Sequence, residues 1–122
     1  MATQQLTAKN LESLITDSNI LFIDFWADWC GPCKMFGPTF EAASEKNGDI
    51  VFAKCDTEAH QDVAAQFGIR SIPTLAVFKE GIMIFQQPGA LPPAALDELV
   101  EKVKELDMDD VRKEMDAKKQ AK

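Results

Sequence analysis

Residues 20–34 read ILFIDFWADWCGPCK. The first eight of them, Ile20 to Ala27, are apolar except for Asp24. A run this short, rich in Ile and Phe, predicts a strand buried on both faces, as in a parallel or mixed sheet. Two cysteines spaced C-x-x-C follow directly, at Cys30 and Cys33. After them, Met35, Phe36, Phe40 and Ala43 predict the inner face of a helix from about Cys33 to Glu45, which Pro38 should kink.

The flanking sequence extends this strand–helix unit in both directions. Upstream, Thr7 is a candidate N-cap for a helix through Leu11, Leu14 and Ile15. Downstream, the turn signal Asn47-Gly48-Asp49 precedes Ile50 to Cys55, a second buried strand. A short helix from Gln61 to Phe67 should end at Gly68. Thr74 to Phe78 and Ile82 to Phe85, separated by Lys79-Glu80-Gly81, predict a hairpin. Pro92 and Pro93 open a last helix with Leu96, Leu99, Val100, Val103 and Leu106 on one face. This order predicts an α/β fold: a central mixed sheet, parallel in its first half and completed by an antiparallel hairpin, with helices on both faces.

At 122 residues and 46% apolar composition, the chain can bury one core. The expected division is a domain over 1–106 and a charged extension over 107–122. Residues 101–122 hold seven acids and seven bases, so the net charge of -7 lies in residues 1–100. In the extension, Asp107 is a candidate N-cap for a helix striped by Met108, Val111 and Met115. Lys118 to Lys122 are expected to be disordered. The acidic balance argues against nucleic acid and anionic lipid as partners, and no apolar run is long enough to span a membrane. No basic start followed by an apolar block marks a secretory signal, so a reducing, cytoplasmic setting is expected. There, with only three cysteines in the chain, a C-x-x-C is catalytic or metal-binding more often than structural.

Placed between a strand and a helix, the pair meets the unpaired N–H groups and positive dipole end of the helix, which stabilise a thiolate. Cys30, ahead of the helix, is expected to be the exposed nucleophile, and Cys33, in the first turn, the more buried resolving thiol. Gly31 lets a partner's backbone approach closely, and Pro32 fixes φ at the helix start.

Trp29-Cys30-Gly31-Pro32-Cys33-Lys34 is similar to the active-site signature of the thioredoxin family. Asp24 to Asp28, Gly68 to Thr74 and Pro88 to Leu91 match the family's other blocks in order and spacing, so the resemblance covers roughly residues 1–106. It implies the thioredoxin fold and dithiol–disulfide exchange on protein disulfides. It also implies regeneration by an NADPH-dependent thioredoxin reductase and no bound metal or organic cofactor beyond the cysteine pair. The chain is expected to be a monomer.

Several residues carry two readings. Asp24 in its apolar strand is either a hydrogen-bonded packing carboxylate or, as the resemblance implies, a buried acid exchanging a proton with Cys33. Lys54 either reaches water along its stem or modulates Asp24. Pro73 alone reads as a strand-start proline; the resemblance implies a cis bond after Ile72, facing the cysteines. By the same resemblance Ile72 offers its backbone to an extended substrate. Trp29 reads as a partner-surface aromatic, Trp26 as core, and Gly89 as a turn glycine or a point of substrate approach. Lys34 either adds positive charge near Cys30 or is simply solvated. By strand alternation Cys55 faces away from the redox pair if Lys54 faces Asp24. Three rivals remain: zinc held by Cys30, Cys33, Cys55 and His60, a non-catalytic binding module, and an oxidant or isomerase of the same fold. Gly-Pro between the cysteines, rather than a dipeptide with His, favours a reductant among these.

Overall fold

The computed structural model describes residues 2–120. Its sheet has five strands: β1 (Thr3–Gln5), β2 (Ile20–Trp26), β3 (Val51–Asp56), β4 (Thr74–Lys79) and β5 (Ile82–Pro88), in the order β1-β3-β2-β4-β5. The pairs β1·β3 and β3·β2 are parallel, while β2·β4 and β4·β5 are antiparallel. The mixed sheet therefore has the two halves anticipated above. The helices are α1 (Leu11–Asp17), α2 (Gly31–Lys46), α3 (Gln61–Gln66), α4 (Pro93–Glu105) and α5 (Met108–Gln120).

Alternation along the central strands sorts the core into two layers. Ile20 and Phe22 of β2 and Phe52 of β3 pack with Phe36 and Phe40 of α2 and Leu96 and Val100 of α4. On the other face Leu21, Ile23, Phe25, Ala53 and Cys55 pack against Val63 of α3, with Leu11 and Leu14 of α1 beside them. The hairpin turns on Glu80 and Gly81, both at positive φ (52° and 79°), the conformation of a two-residue turn that matches strand twist.

Four local features differ from the sequence-based expectation. The strand β1 has no counterpart in the apolar pattern. Helix α1 starts after Asn10 rather than Thr7, because the Asn10 side chain accepts the Thr7 N–H at 2.7 Å and residues 8–10 form a turn. Helix α2 begins two residues before Cys33, although it continues through Pro38 as anticipated and ends at Lys46. Met35 is 77% exposed, because the buried stripe follows Cys33, Phe36, Gly37, Phe40, Ala43 and Ser44 at spacings of three and four.

Beyond α4, the Nζ of buried Lys79 donates to the carbonyls of Val103 (2.6 Å), Lys104 (3.1 Å) and Leu106 (2.8 Å). A cation thus closes the C-terminal end of α4, where carbonyls lack helical partners. Asp107 caps α5 as anticipated, its side chain accepting the Asp109 N–H at 2.9 Å. Met108 is buried, and Arg112 pairs with Glu80 of the hairpin. Lys118 to Gln120 continue the helix where disorder was expected; Ala121 and Lys122 lie outside the described residues.

Candidate functional site

The two cysteines sit where β2 gives way to α2. Cys30 is the N-cap of the helix in extended conformation, and its sulfur accepts the Cys33 N–H at 3.2 Å. Sulfur here takes the place that a Ser or Asp oxygen fills at an ordinary N-cap, so the helix start holds electron density on Cys30. Gly31 and Pro32 occupy the first turn, where a proline's missing N–H costs nothing. The Cα atoms of Cys30 and Cys33 are 5.3 Å apart and their sulfurs form a disulfide. Their exposures do not differ as anticipated: each residue is 4% exposed. The asymmetry lies in what surrounds them. Cys30 Sγ is 3.6 Å from the Ile72 carbonyl oxygen, while Cys33 lines a pocket with Lys54, Glu41 and Trp26.

Asp24 is fully buried, on the face of β2 that looks toward α2. Neither of its carboxyl oxygens has a hydrogen-bond partner among the described residues. Burial is the main cause that pushes its pKa from the ordinary 3.8 to about 7; Lys54 pulls it down and Glu41 adds to the rise. Lys54 stands opposite Asp24 in the β2·β3 register, on the same face, and its ammonium lies 5.1 Å from the centre of the Trp26 ring. The carboxyl therefore titrates near neutrality, the range in which it can both take and return a proton.

The residues expected to meet a substrate also lie close together. The Ile72–Pro73 peptide is cis. Gly89, at φ 108°, donates its N–H to the Pro73 carbonyl at 2.8 Å, and a Cβ built there would meet nothing within 4 Å. Trp29 is 70% exposed, and its indole N–H donates to Glu58 at 2.6 Å. A groove of about 560 Å³ runs between Trp29, Ile72, Ile69 and Arg70. Lys34 lies at the rim, among the residues that line the Cys33 pocket. The sequence pattern does not point to Glu41 as part of the site, because its partner Thr3 belongs to the polar edge strand.

Cys55 lies in the layer behind the sheet, with Ile23, Phe25 and Val63. Burial pushes its thiol up to about 12, with Asp56 and Asp62 adding to the rise. Cys30, Cys33, Cys55 and His60 therefore do not converge into a metal site. Among the described residues no group of three or more His, Cys, Asp or Glu side chains is placed to hold a metal ion. No helix among these residues is long and apolar enough to cross a membrane.

Comparison with known proteins agrees with this geometry. The thioredoxin family model matches residues 2–105. The chain is 53% identical over 112 residues to putative thioredoxin 2 of Streptomyces coelicolor, covering 92% of this chain and 84% of that one. It is 41% identical over 103 residues to thioredoxin 1 of a Nostoc species, covering 83% of this chain and 96% of the relative. Among solved structures, a single-site mutant of a thioredoxin from Halobacterium salinarum superposes with a TM-score of 0.80 at 33% identity, covering 86% of this chain and 93% of that one. With its Cys30–Cys33 disulfide at the head of α2 and its mixed five-stranded sheet, the chain belongs to the thioredoxin family of dithiol–disulfide oxidoreductases, enzymes that reduce protein disulfides.

Proposed function

We propose that Cys30 is the attacking sulfur and Cys33 the resolving one, with Asp24 exchanging a proton with Cys33. The Cys30 thiolate attacks one sulfur of a client disulfide, forming a mixed disulfide and expelling the client's other sulfur as a thiolate. Cys33 passes its proton to the Asp24 carboxylate and attacks Cys30 Sγ. The client's second sulfur leaves, the Cys30–Cys33 disulfide closes, and two electrons have moved to the client. The observation that carries this reading is the Cys33 N–H donated to Cys30 Sγ at the N-terminus of α2, which favours the thiolate at Cys30 over Cys33. Lys54 tunes Asp24, and Gly31 and Pro32 keep the turn short enough for the sulfurs to meet.

The client binds as an extended segment along Ile72 and Pro73, its backbone against the Ile72 peptide and passing over Gly89, while Trp29 and the neighbouring groove take side chains. A thioredoxin reductase drawing on NADPH returns the disulfide to the dithiol, and no bound metal or organic cofactor takes part. One structural neighbour is described in the setting of a thiol-resolving mechanism of a yeast mitochondrial 1-Cys peroxiredoxin, and a disulfide formed by such a thiol is one client class for this chain. The protein works as a monomer in the cytoplasm, with residues 1–106 as the catalytic domain and 107–122 as an appended extension. Replacing Cys33 by serine tests the order of events. The Cys33→Ser variant is expected to trap clients as mixed disulfides through Cys30, whereas wild type releases them and turns over. Sustained insulin reduction by Cys33→Ser would contradict the mechanism.

A further inference from the structure

The charged residues lining the pocket beside Cys33 are Asp28, Lys34, Glu41 and Lys54, and the buried Asp24 stands opposite Lys54 on the neighbouring strand. On α2, Cys33, Gly37 and Glu41 are spaced four apart and so share one stripe of the helix, and all three line this pocket of about 550 Å³. Gly37 has no side chain, and a Cβ built there would sit 3.8 Å from Lys54 Nζ. The Lys54 ammonium therefore lies at the Gly37 turn of α2, with Cys33 one turn to one side and Glu41 one turn to the other. From β3 the same lysine stands opposite Asp24. β4 offers Leu75 across from Asp24, and the α4 residues on this face are Leu96, Val100 and Val103, so neither element supplies a compensating charge. Glu41 is fixed in place: Oε1 accepts the Thr3 hydroxyl, and Oε2 is buried without a hydrogen-bond partner among the described residues.

We propose that Glu41, anchored by Thr3, is a positioning residue for the proton-exchange step: it competes with Asp24 for the Lys54 charge and so makes the Asp24 carboxylate a better acceptor for the Cys33 proton. The competition follows from placement. A half-buried carboxylate in the same pocket as Lys54 weakens the compensation left for the deeper carboxyl, and two neighbouring like charges disfavour double ionisation. The Glu41 contribution to the raised Asp24 pKa has the same sign, after burial as the largest cause. This inference rests on the reading of Asp24 as the proton exchanger, but it is tested on the titration of Asp24 itself.

The experiment follows the Asp24 carboxyl by carbon-13 NMR across pH in the full-length oxidised protein, in wild type and in Glu41→Gln. Glutamine keeps an oxygen for the Thr3 hydroxyl, so the tie between β1 and α2 survives while the charge goes. The Asp24 midpoint is expected to fall by about half a pH unit. A midpoint that stays in place or rises overturns the proposal and leaves Glu41 as a structural tie alone. If Glu41→Gln does not fold, Thr3→Val carries the same reading: it releases Glu41 toward solvent and should lower the midpoint, whereas Thr3→Ser, which retains the hydroxyl, should not. Failure of the proton-exchanger reading would show elsewhere, as unchanged client release in Asp24→Asn.

Discussion

β2 and β3 show opposite chemistry to the two helical layers they separate. Toward α1 and α3 they present Leu21, Ile23, Phe25, Ala53 and Cys55, all buried and closely packed. Toward α2, beyond Phe22 and Phe52, the same strands present Asp24 beside Lys54, with the Cys33 pocket next to them. One layer is stabilised by removing apolar surface from water. The other holds a fully buried carboxyl without hydrogen bonds among the described residues, an arrangement that costs stability. The same element type thus serves as scaffold on one face and as reactive site on the other, and a thiol behaves according to its face. Cys55 is held un-ionised in the apolar layer, whereas Cys30 sits at the positive end of a helix.

Substitutions on the two faces should therefore act on different quantities. The largest effect on stability belongs to the apolar layer. Phe25→Ala should cost about 3–5 kcal/mol, read from denaturant unfolding; a loss below about 1 kcal/mol would mean that this layer is not the scaffold.

Asp24→Asn should act in the opposite direction. Between pH 3.8 and about 7 the folded chain keeps the Asp24 proton and the unfolded chain releases it, so wild-type stability falls as pH rises through this window. The variant lacks that dependence. Relative to it, wild type should lose about 4 kcal/mol between about pH 4 and about pH 8, with turnover slowed in the variant. Parallel stability profiles would place Asp24 in an ordinary, solvated setting.

Cys55→Ala should show the smallest effect: a loss of about 1 kcal/mol and no change in insulin reduction. A clear loss of turnover would erase the distinction between the two faces.

Much of this arrangement was legible in the sequence, for reasons that differ by element. The apolar run of β2 and the buried pattern of β3 dictate central strands, and alternation alone places Lys54 and Cys55 on opposite faces. The hairpin was legible from Lys79-Glu80-Gly81, although Lys79 belongs to β4 and only Glu80 and Gly81 form the turn, and the signature from Trp29 to Lys34 located the site. β1 was not legible, because Thr3-Gln4-Gln5 is polar and contributes only an edge ladder to β3. Glu41 was lost with it, since a single acid after Phe40 acquires meaning only through Thr3. The expected difference in exposure between Cys30 and Cys33 also failed, since in the disulfide both residues are equally covered. What distinguishes them is a hydrogen bond and a neighbouring pocket, which depend on tertiary placement.

The division of roles between the two sulfurs is tested most directly by alkylation of the reduced protein with iodoacetamide across pH, with the modified cysteine identified by peptide mass mapping. A single fast site at Cys30 is expected near neutral pH, with Cys33 and Cys55 spared. Equal labelling of Cys30 and Cys33, or no labelling of either near neutral pH, would contradict it.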